Sequence, residues 1–451
     1  MPNGQALITL LKVHAPSGAP LISIVSQNNS ARLQAVAKFI FETSLQCRFE
    51  VVPSTDKANS KFVVAYGIEA TGNALLVPSS GFLEEKNIQA KAPPFAIFSS
   101  QYVLFPFENN HFDIFAAVFY FIARYEEWQT FEADEHNRFE SNTSFAVKNN
   151  WPKKPWVDYW VQDLKTQLEK QFPTLALQSR AFQVISTIDV DNLYAYLGKG
   201  FIRTVGATVK DLSKFNFKGI TERLAVITGL KPDPFDIYEE VSEFCFDRKI
   251  PLFYFFLMRS GTKYDRSLNP ASKHFKKVIE KVKANMAFVG LHPSYNSSVD
   301  NELLLEELQM LQNAASQPVE MSRQHYLRYN QMQTPKQLLA ADVKFDFTCG
   351  YASQTGFRAG TTLPFFYYDF ASESSTELLS IPFCAMDGVW SEYGSRSTIQ
   401  AYEELLELFK MIKQTNGLFI TVFHERSFSD HLYKGFGTLY KKLHSELSST
   451  G

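Results

Sequence analysis

From about residue 180 onward, short apolar segments alternate with helical segments, and this alternation limits the possible folds more than any other feature of the sequence. Segments rich in Val, Ile, Leu and Phe are predicted as strands. They cover residues 182–188, 251–258, 287–291, 319–324, 345–349, 379–384 and 418–423. Helical periodicity between them, at 236–247, 270–283, 302–312, 335–341 and 397–414, is typical of parallel βα units. The pattern predicts an α/β fold, a distorted (β/α)7-type barrel over residues 179–451.

The first third of the chain has a different pattern. Strands are predicted at 21–26, 49–53, 61–66 and 95–98, and helices at 30–44 and 112–128. A length of 451 residues allows two or three domains. We therefore predict a separate N-terminal α/β domain over residues 1–178, with no role assigned to it.

Composition excludes several classes of protein. The net charge is −2 and no basic run is present, so nucleic acid is not expected as a partner. The longest apolar stretches are too short for a membrane span, and the N-terminus lacks a secretory pattern. The four cysteines have no CxxC spacing, which favours reduced, buried thiols and a cytoplasmic protein. The 41 Phe and 20 Tyr suit surfaces that stack on sugar rings. The sequence does not indicate an oligomeric state.

Polar residues follow several of the predicted strands. Because the carboxyl ends of parallel strands meet on one face of a barrel, these side chains are expected to lie together. Any one of them has an ordinary explanation as a turn, cap or structural residue. As a set, carboxylates and imidazoles suit zinc and similar ions. The residues are Asp189, Asp191, His292, Arg323, His325, His424 and Glu425.

Five segments resemble, in order, the motifs of polysaccharide deacetylases of the NodB-homology superfamily. They are TIDVD (187–191), GLHPSYN (290–296), RQHY (323–326), DFT (346–348) and VFH (422–424). The segment GFRAGT (356–361) looks like a feature of one bacterial branch that carries an extra N-terminal domain. The resemblance covers roughly residues 180–430.

The resemblance implies a role for each matching residue. Asp189 would be the general base, Arg323 would orient it, and His424 would be the general acid. Asp191 and His292 would bind a divalent metal ion, with zinc as the first choice and other divalent ions left open. The family's second metal histidine falls at Asn296, a weaker ligand, and His325 could supply the missing nitrogen.

Other residues carry weaker predictions. Arg358, Tyr295 and Asp346 are assigned to substrate contact. Arg358 could instead form a structural salt bridge, and Asp346 could pair with an arginine or start a turn. The pair Asp387-Gly388 is interpreted as a tight turn.

The function expected from these residues is a metal-dependent hydrolase that removes an acyl group from an N- or O-acylated sugar or glycan precursor. One alternative is a barrel that has lost catalysis and binds a carbohydrate. Another is a glycoside hydrolase that uses Asp189 and Glu425, which ranks lower because the strand ends carry histidines instead of a second acid.

Overall fold

A computed structural model describes residues 2–69, 72–129, 131–151, 153–394, 396–430 and 432–448. It contains three β-sheets and helices packed on them. The strands are β1 (Leu21–Val25), β2 (Arg48–Val52), β3 (Val63–Tyr66), β4 (Ala74–Val77), β5 (Phe95–Phe98), β6 (Gln101–Leu104), β7 (Gln183–Val190), β8 (Leu252–Leu257), β9 (Phe288–His292), β10 (Met321–Ser322), β11 (Phe345–Asp346), β12 (Phe365–Asp369), β13 (Ser374–Ser380), β14 (Ala385–Met386) and β15 (Leu418–His424).

The helices are distributed over both parts of the chain. They are α1 (Gly4–Leu11), α2 (Ala31–Ala37), α3 (Ile114–Ile122), α4 (Phe145–Lys148), α5 (Trp156–Gln171), α6 (Phe201–Ser213), α7 (Phe217–Ile227), α8 (Tyr238–Asp247), α9 (Lys273–Ala284), α10 (Asn301–Ala315), α11 (Thr334–Ala340), α12 (Gly388–Ser391), α13 (Thr398–Gln414) and α14 (Phe436–Ser448). Among the described residues, no helix combines the length and the apolar character needed to cross a lipid bilayer.

The largest sheet has nine strands in the order β12-β13-β11-β10-β9-β8-β7-β15-β14. Every neighbouring pair is parallel except β12 and β13. The central strand β8 is buried along its whole length, as its uninterrupted apolar sequence requires. The prediction of a mixed α/β fold with a parallel sheet is confirmed. The predicted barrel closure is not found, since the sheet has open edges at β12 and β14 within the described residues.

The first third contains a parallel four-stranded sheet in the order β2-β1-β3-β4 and the antiparallel pair β5-β6. Helix α2 begins at Ser30, whose side chain accepts a hydrogen bond from the Leu33 amide, and it continues as a π-helix over Lys38–Ser44. One apolar core runs through both parts of the chain. The division at residue 178 therefore stays a prediction.

Polar side chains connect the first third to the large sheet at several buried points. The carboxylate of Asp158 on α5 accepts hydrogen bonds from the hydroxyls of Thr361 and Thr362. The buried Arg32 on α2 pairs with Glu373 in the hairpin between β12 and β13, at 2.7 Å. The four cysteines are free and buried, as predicted.

Candidate metal centre and active site

The carboxyl ends of the central strands of the large sheet lie side by side. In the strand register, His424 at the end of β15 lies opposite Asp189 on β7, and His292 at the end of β9 lies opposite Leu257 on β8. A pocket of about 430 Å³ opens over these strand ends. Asp189, Asp191, His292, His325 and His424 all line it, as the parallel arrangement predicted.

Three of these side chains form a group that could hold a metal ion. One potential ligand atom from each of Asp191, His292 and His325 lies within 4.8 Å of the others. The Asp191 Oδ1 atom is 3.4 Å from His292 Nε2 and 3.6 Å from His325 Nε2. The three residues follow three different strands, β7, β9 and β10, so no local sequence spacing identifies the group.

The orientation of both histidines is fixed by the ring nitrogen that does not face Asp191. The Nδ1 atom of His292 donates to the carbonyl oxygen of Arg323 at 2.6 Å, and the Nδ1 atom of His325 lies 2.9 Å from Asp265 Oδ1. Such bonds hold the ring and its tautomer, leaving Nε2 for a metal ion. The sequence did not point to Asp265, because it lies in a loop and not at the end of a predicted strand.

The carboxylate of Asp191 also fits a metal ligand. Its Oδ1 atom is buried and has no hydrogen-bond partner among the described residues, whereas its Oδ2 atom accepts a hydrogen bond from Arg426. Burial favours the neutral acid, but the charges of His325 and Arg426 outweigh it and hold the Asp191 pKa well below its usual value. One carboxylate and two imidazoles are ligands that zinc and related divalent ions accept.

Asp189 is held from one side by Arg323. The Nη1 atom of Arg323 donates to Asp189 Oδ1 at 2.6 Å, and its guanidinium lies 4.5 Å from the centre of the Phe255 ring. That ring packs where a Cβ atom on Gly290 would be, only 2.5 Å away, so the position requires glycine. The second oxygen of Asp189, Oδ2, is 3.9 Å from His292 Nε2. Asp189 thus has one oxygen fixed by Arg323 and the other near the candidate metal ligand His292.

His424 is held by Asp387. The His424 Nδ1 atom lies 2.7 Å from Asp387 Oδ1, and the His424 backbone N–H donates to Asp387 Oδ2 at 2.7 Å. Burial and Arg426 lower the His424 pKa, but Asp387 and Asp191 raise it by a larger amount, so the pKa is about 9. Asp387 does begin the short helix α12, so the predicted turn is present, but its side chain also orients His424.

Two charged neighbours were missed or assigned differently from the sequence. Arg426 had no predicted role and binds Asp191. Glu425 was expected at the strand ends and was given a specific role only in the glycoside hydrolase alternative; its carboxylate accepts a hydrogen bond from the Asp191 backbone N–H at 3.0 Å. Burial and the nearby Asp191 charge raise the Glu425 pKa to about 8. Both residues directly follow His424 in the sequence. Their position just after a predicted strand was the feature from which a place near the site could have been predicted.

Aromatic side chains form part of the pocket wall. Tyr264, Tyr326, Tyr393 and Tyr433 line it. Tyr295 stands behind Tyr264, with ring centres 4.0 Å apart and nearly parallel, and its hydroxyl is 3.1 Å from His136 Nδ1. Tyr295 therefore supports the wall and does not line the pocket.

The remaining predicted site residues lie elsewhere. Asn296 is exposed in the turn after β9 and is not part of the pocket lining. Asp346 is buried below the pocket, where its Oδ1 atom accepts hydrogen bonds from the backbone and hydroxyl of Thr348. Arg358 is buried and makes a two-point ion pair with Glu127, at 2.8 and 2.9 Å. These contacts match the alternative in which Arg358 forms a structural salt bridge instead of contacting a substrate.

Comparison with known proteins gives a family for the first third alone. Residues 22–173, about a third of the chain, match DUF7033, which is described as a family of unknown function. No curated protein matches the chain.

Solved structures resemble part of the chain at low identity and low TM-score. A protein assigned as a polysaccharide deacetylase from Mycobacterium smegmatis is 11% identical over 60% of this chain and 86% of its own, with a TM-score of 0.39. A mutant of BA3943, a CE4 family pseudoenzyme with restored enzymatic activity, is 12% identical over 59% of this chain and 64% of its own, at 0.28. A 4-alpha-glucanotransferase from Thermococcus litoralis is 10% identical over 60% of this chain and 38% of its own, at 0.37.

Proposed function

We propose that this protein is a metal-dependent hydrolase that removes an acyl group, such as acetyl, from an N- or O-acylated sugar or glycan precursor. The observation that carries the proposal is the arrangement of three groups in one pocket. The Asp191, His292 and His325 group has two neighbours in the pocket, a carboxylate bound by an arginine, Asp189, and an imidazole bound by a carboxylate, His424.

Asp191, His292 and His325 would hold the ion, with zinc as the expected metal. The unpartnered Oδ1 atom of Asp191 and the fixed rings of the two histidines support this assignment. When bound, a divalent ion lowers the pKa of water and polarises an acyl carbonyl, which is the chemistry that amide or ester hydrolysis requires.

Asp189 would act as the general base. Its Oδ2 atom lies on the side of the metal ligands and can take a proton from the attacking water, while Arg323 keeps the carboxylate in place through Oδ1. Arg323 is completely buried and also donates to the Phe347 carbonyl at 3.0 Å, so its position is rigid. Arg323 is thus a positioning residue.

His424 would protonate the leaving nitrogen or oxygen. Its Nε2 atom is 3.9 Å from Asp191 Oδ2, so it lies close to the candidate metal ligands. Asp387 accepts a hydrogen bond from the Nδ1–H group and raises the His424 pKa, so the ring carries a proton on Nε2 to donate near neutral pH.

The tyrosine wall favours a second candidate, a protein that binds a carbohydrate without cleaving it. Aromatic rings such as Tyr264 and Tyr326 offer flat apolar faces that stack on sugar rings. This binding needs neither Asp189 nor His424. A measurement of turnover therefore distinguishes the two candidates, because only the hydrolase converts its substrate.

The test measures acetate release from N-acetylated oligosaccharides and acetylated sugar nucleotides by protein loaded with zinc or cobalt. Wild-type protein is expected to release acetate, and the variants Asp189→Asn and His424→Ala are expected to lose activity while they still bind one equivalent of metal. His325→Ala should lose the metal. Equal activity in all four proteins, or sugar binding that chelation does not change and that yields no acetate, would contradict the hydrolase.

A further inference from the structure

The helix that follows the catalytic strand β7 has its apolar residues on the outside. Helix α6 contains no buried residue along its 13 positions. Its first two residues, Phe201 and Ile202, are 82% and 86% exposed. A helix of a globular protein normally packs its apolar side against the core. The apolar side of α6 has no such partner among the described residues.

The exposed residues form one continuous stripe. At about 100° per residue, the apolar side chains of α6 fall within a sector about 100° wide. They are Phe201, Ile202, Val205, Val209 and Leu212. The opposite side of the helix carries Arg203, Thr204 and Ala207, which line a cleft beside the catalytic pocket.

Helix α7 repeats this arrangement. Phe217, Leu224 and Ile227 are exposed at helical spacing, and the flanking Phe215 and Leu230 are each 80% exposed. The contact between the two helices is polar instead. Arg223 on α7 pairs with Asp211 on α6 at 2.5 Å and donates to the Thr208 hydroxyl at 3.1 Å. Polar groups therefore connect the two helices, Val226 is the one large apolar side chain of α7 that is buried, and most apolar side chains of the hairpin lie outside.

Helix α9 shows that this exposure is particular to the hairpin. It is of similar length and also rich in lysine, but its apolar residues Phe275, Val278, Ile279 and Val282 are all buried. In contrast, residues 201–230 supply ten of the 22 large apolar side chains that are exposed in the described part of the chain. An exposed apolar patch of this kind marks a contact surface.

The charge of the hairpin identifies the kind of surface that it fits. Residues 199–231 contain seven Lys and Arg against two Asp and Glu, a net charge of +5 in a chain whose total is −2. Lys210, Lys214 and Lys218 are exposed beside the apolar residues and form no ion pair with another described residue. Apolar residues flanked by lysines are typical of helices that lie in the headgroup region of an anionic bilayer.

We propose that the α6–α7 hairpin, residues 199–231, binds the surface of an anionic lipid bilayer. The apolar stripes would enter the headgroup layer, and the lysines would contact lipid phosphates. Asn192 and Arg266 line both the cleft under α6 and the catalytic pocket, so the hairpin stands next to the pocket, with the cleft on one side of α6 and the apolar stripe on the other. The proposal does not depend on hydrolase activity, because binding is measured without turnover.

The test is co-sedimentation of the full-length protein with vesicles of phosphatidylglycerol and phosphatidylcholine, and with vesicles of phosphatidylcholine alone. The protein is expected to sediment with the anionic vesicles only, and less so as salt rises, because screening weakens attraction to the surface. The triple variant Phe201→Ser, Ile202→Ser, Phe215→Ser should bind at least about tenfold more weakly.

The charge is tested by Lys210→Glu, Lys214→Glu, Lys218→Glu, which should also weaken binding more than about tenfold. The matched control is Lys273→Glu, Lys276→Glu, Lys277→Glu on α9, which changes the net charge equally and should retain binding apart from a small uniform loss. Equal loss in the control, or no binding of wild-type protein to anionic vesicles at low salt, overturns the proposal. Self-association that the serine variant abolishes, without vesicle binding, would assign the patch to a second copy of the chain.

Discussion

Two buried arginines, Arg323 and Arg358, differ in how much of the paired carboxylate they occupy. Arg358 and Arg124 both bind Glu127, and together they use both of its oxygens. Arg323 binds one oxygen of Asp189 only, and the other oxygen lies 3.9 Å from His292 Nε2, one of the candidate metal ligands. The Nη2 atom of Arg323 is buried without a hydrogen-bond partner among the described residues, whereas Nε, Nη1 and Nη2 of Arg358 are all bonded.

The difference separates an ion cluster whose carboxylate is fully paired from one whose carboxylate keeps a free oxygen. A carboxylate whose oxygens are all paired has no capacity left for a substrate or a proton, although removing it would leave buried charges unpaired. A carboxylate with one free oxygen beside a pocket can act as a base. Glu127 and Arg358 do not line the pocket, whereas Asp189 does.

The largest effect is expected from Asp189→Asn. The amide keeps the shape of the side chain but cannot accept a proton, so acetate release should fall by about 10²- to 10⁴-fold. Circular dichroism should show that the variant is folded. Asp300→Asn is the matched control, because Asp300 caps α10 at the surface and asparagine caps equally well. Activity within threefold of wild type in Asp189→Asn would assign the base elsewhere.

Glu127→Gln is expected to lower stability more than any change at the pocket. It would leave Arg124 and Arg358 buried without a countercharge, which costs about 3–5 kcal/mol of unfolding free energy. Urea denaturation measures the change. Glu240→Gln, at an exposed pair with Lys441, should cost less than about 1 kcal/mol. Equal losses of unfolding free energy in Glu127→Gln and Glu240→Gln would show that the buried cluster stabilises the fold no more than the exposed ion pair does.

Asp346 lies near both clusters and should give stability a pH dependence. Burial raises its pKa from 3.8 to about 6, with Arg124 and Arg323 acting in the opposite direction. The folded chain therefore holds this proton more tightly than the unfolded chain. The stabilisation is complete below about pH 4 and is lost as pH rises through 6, a change of about 2 kcal/mol between pH 4 and pH 8.

The measurement is urea denaturation at both pH values for wild type and for Asp346→Asn, which has no proton to lose. The fall in unfolding free energy from pH 4 to pH 8 should be smaller in the variant by about 2 kcal/mol. Identical pH dependence in the two proteins would show that Asp346 ionises as it does in an unfolded chain.

The smallest effect is expected at Asn296, which belongs to neither cluster. Because its side chain is exposed outside the pocket lining, Asn296→Ala should change zinc affinity and acetate release less than about twofold. Isothermal titration with zinc provides the affinity, with His325→Ala as the comparison that should lose binding. A large loss in Asn296→Ala would restore it as a ligand.

The sequence was informative where function depends on strand ends. Asp189, Asp191, His292, His325 and His424 could be predicted to meet, because the alternating pattern implies parallel strands whose carboxyl ends share one face. The side chains that orient them could not be found in the same way. Asp265 and Asp387 reach their histidines from a loop and a helix start, and only the folded path of the chain brings them there.

The shape of the sheet was less predictable than its class. Strand β12 was not predicted, the two-residue strand β14 has a weak local signal, and local periodicity does not show whether a sheet closes. The helices α6 and α7 were not predicted, although their apolar residues follow the helical period. The exposure of those residues could not be predicted either, because periodicity does not show whether a core receives them.

The edge strand β12 has a consequence for any attempt to divide the chain. Its outer backbone groups have no strand partner among the described residues, and such an edge can pair with another molecule and start aggregation. Residues of the first third lie against it, where Lys38 Nζ is 4.0 Å from the centre of the Phe366 ring and the His14 ring is 6.1 Å from that centre. The N-terminal part therefore packs beside the unpaired edge strand β12. A shortened chain that begins near residue 179 would lose these contacts and expose that edge to other molecules.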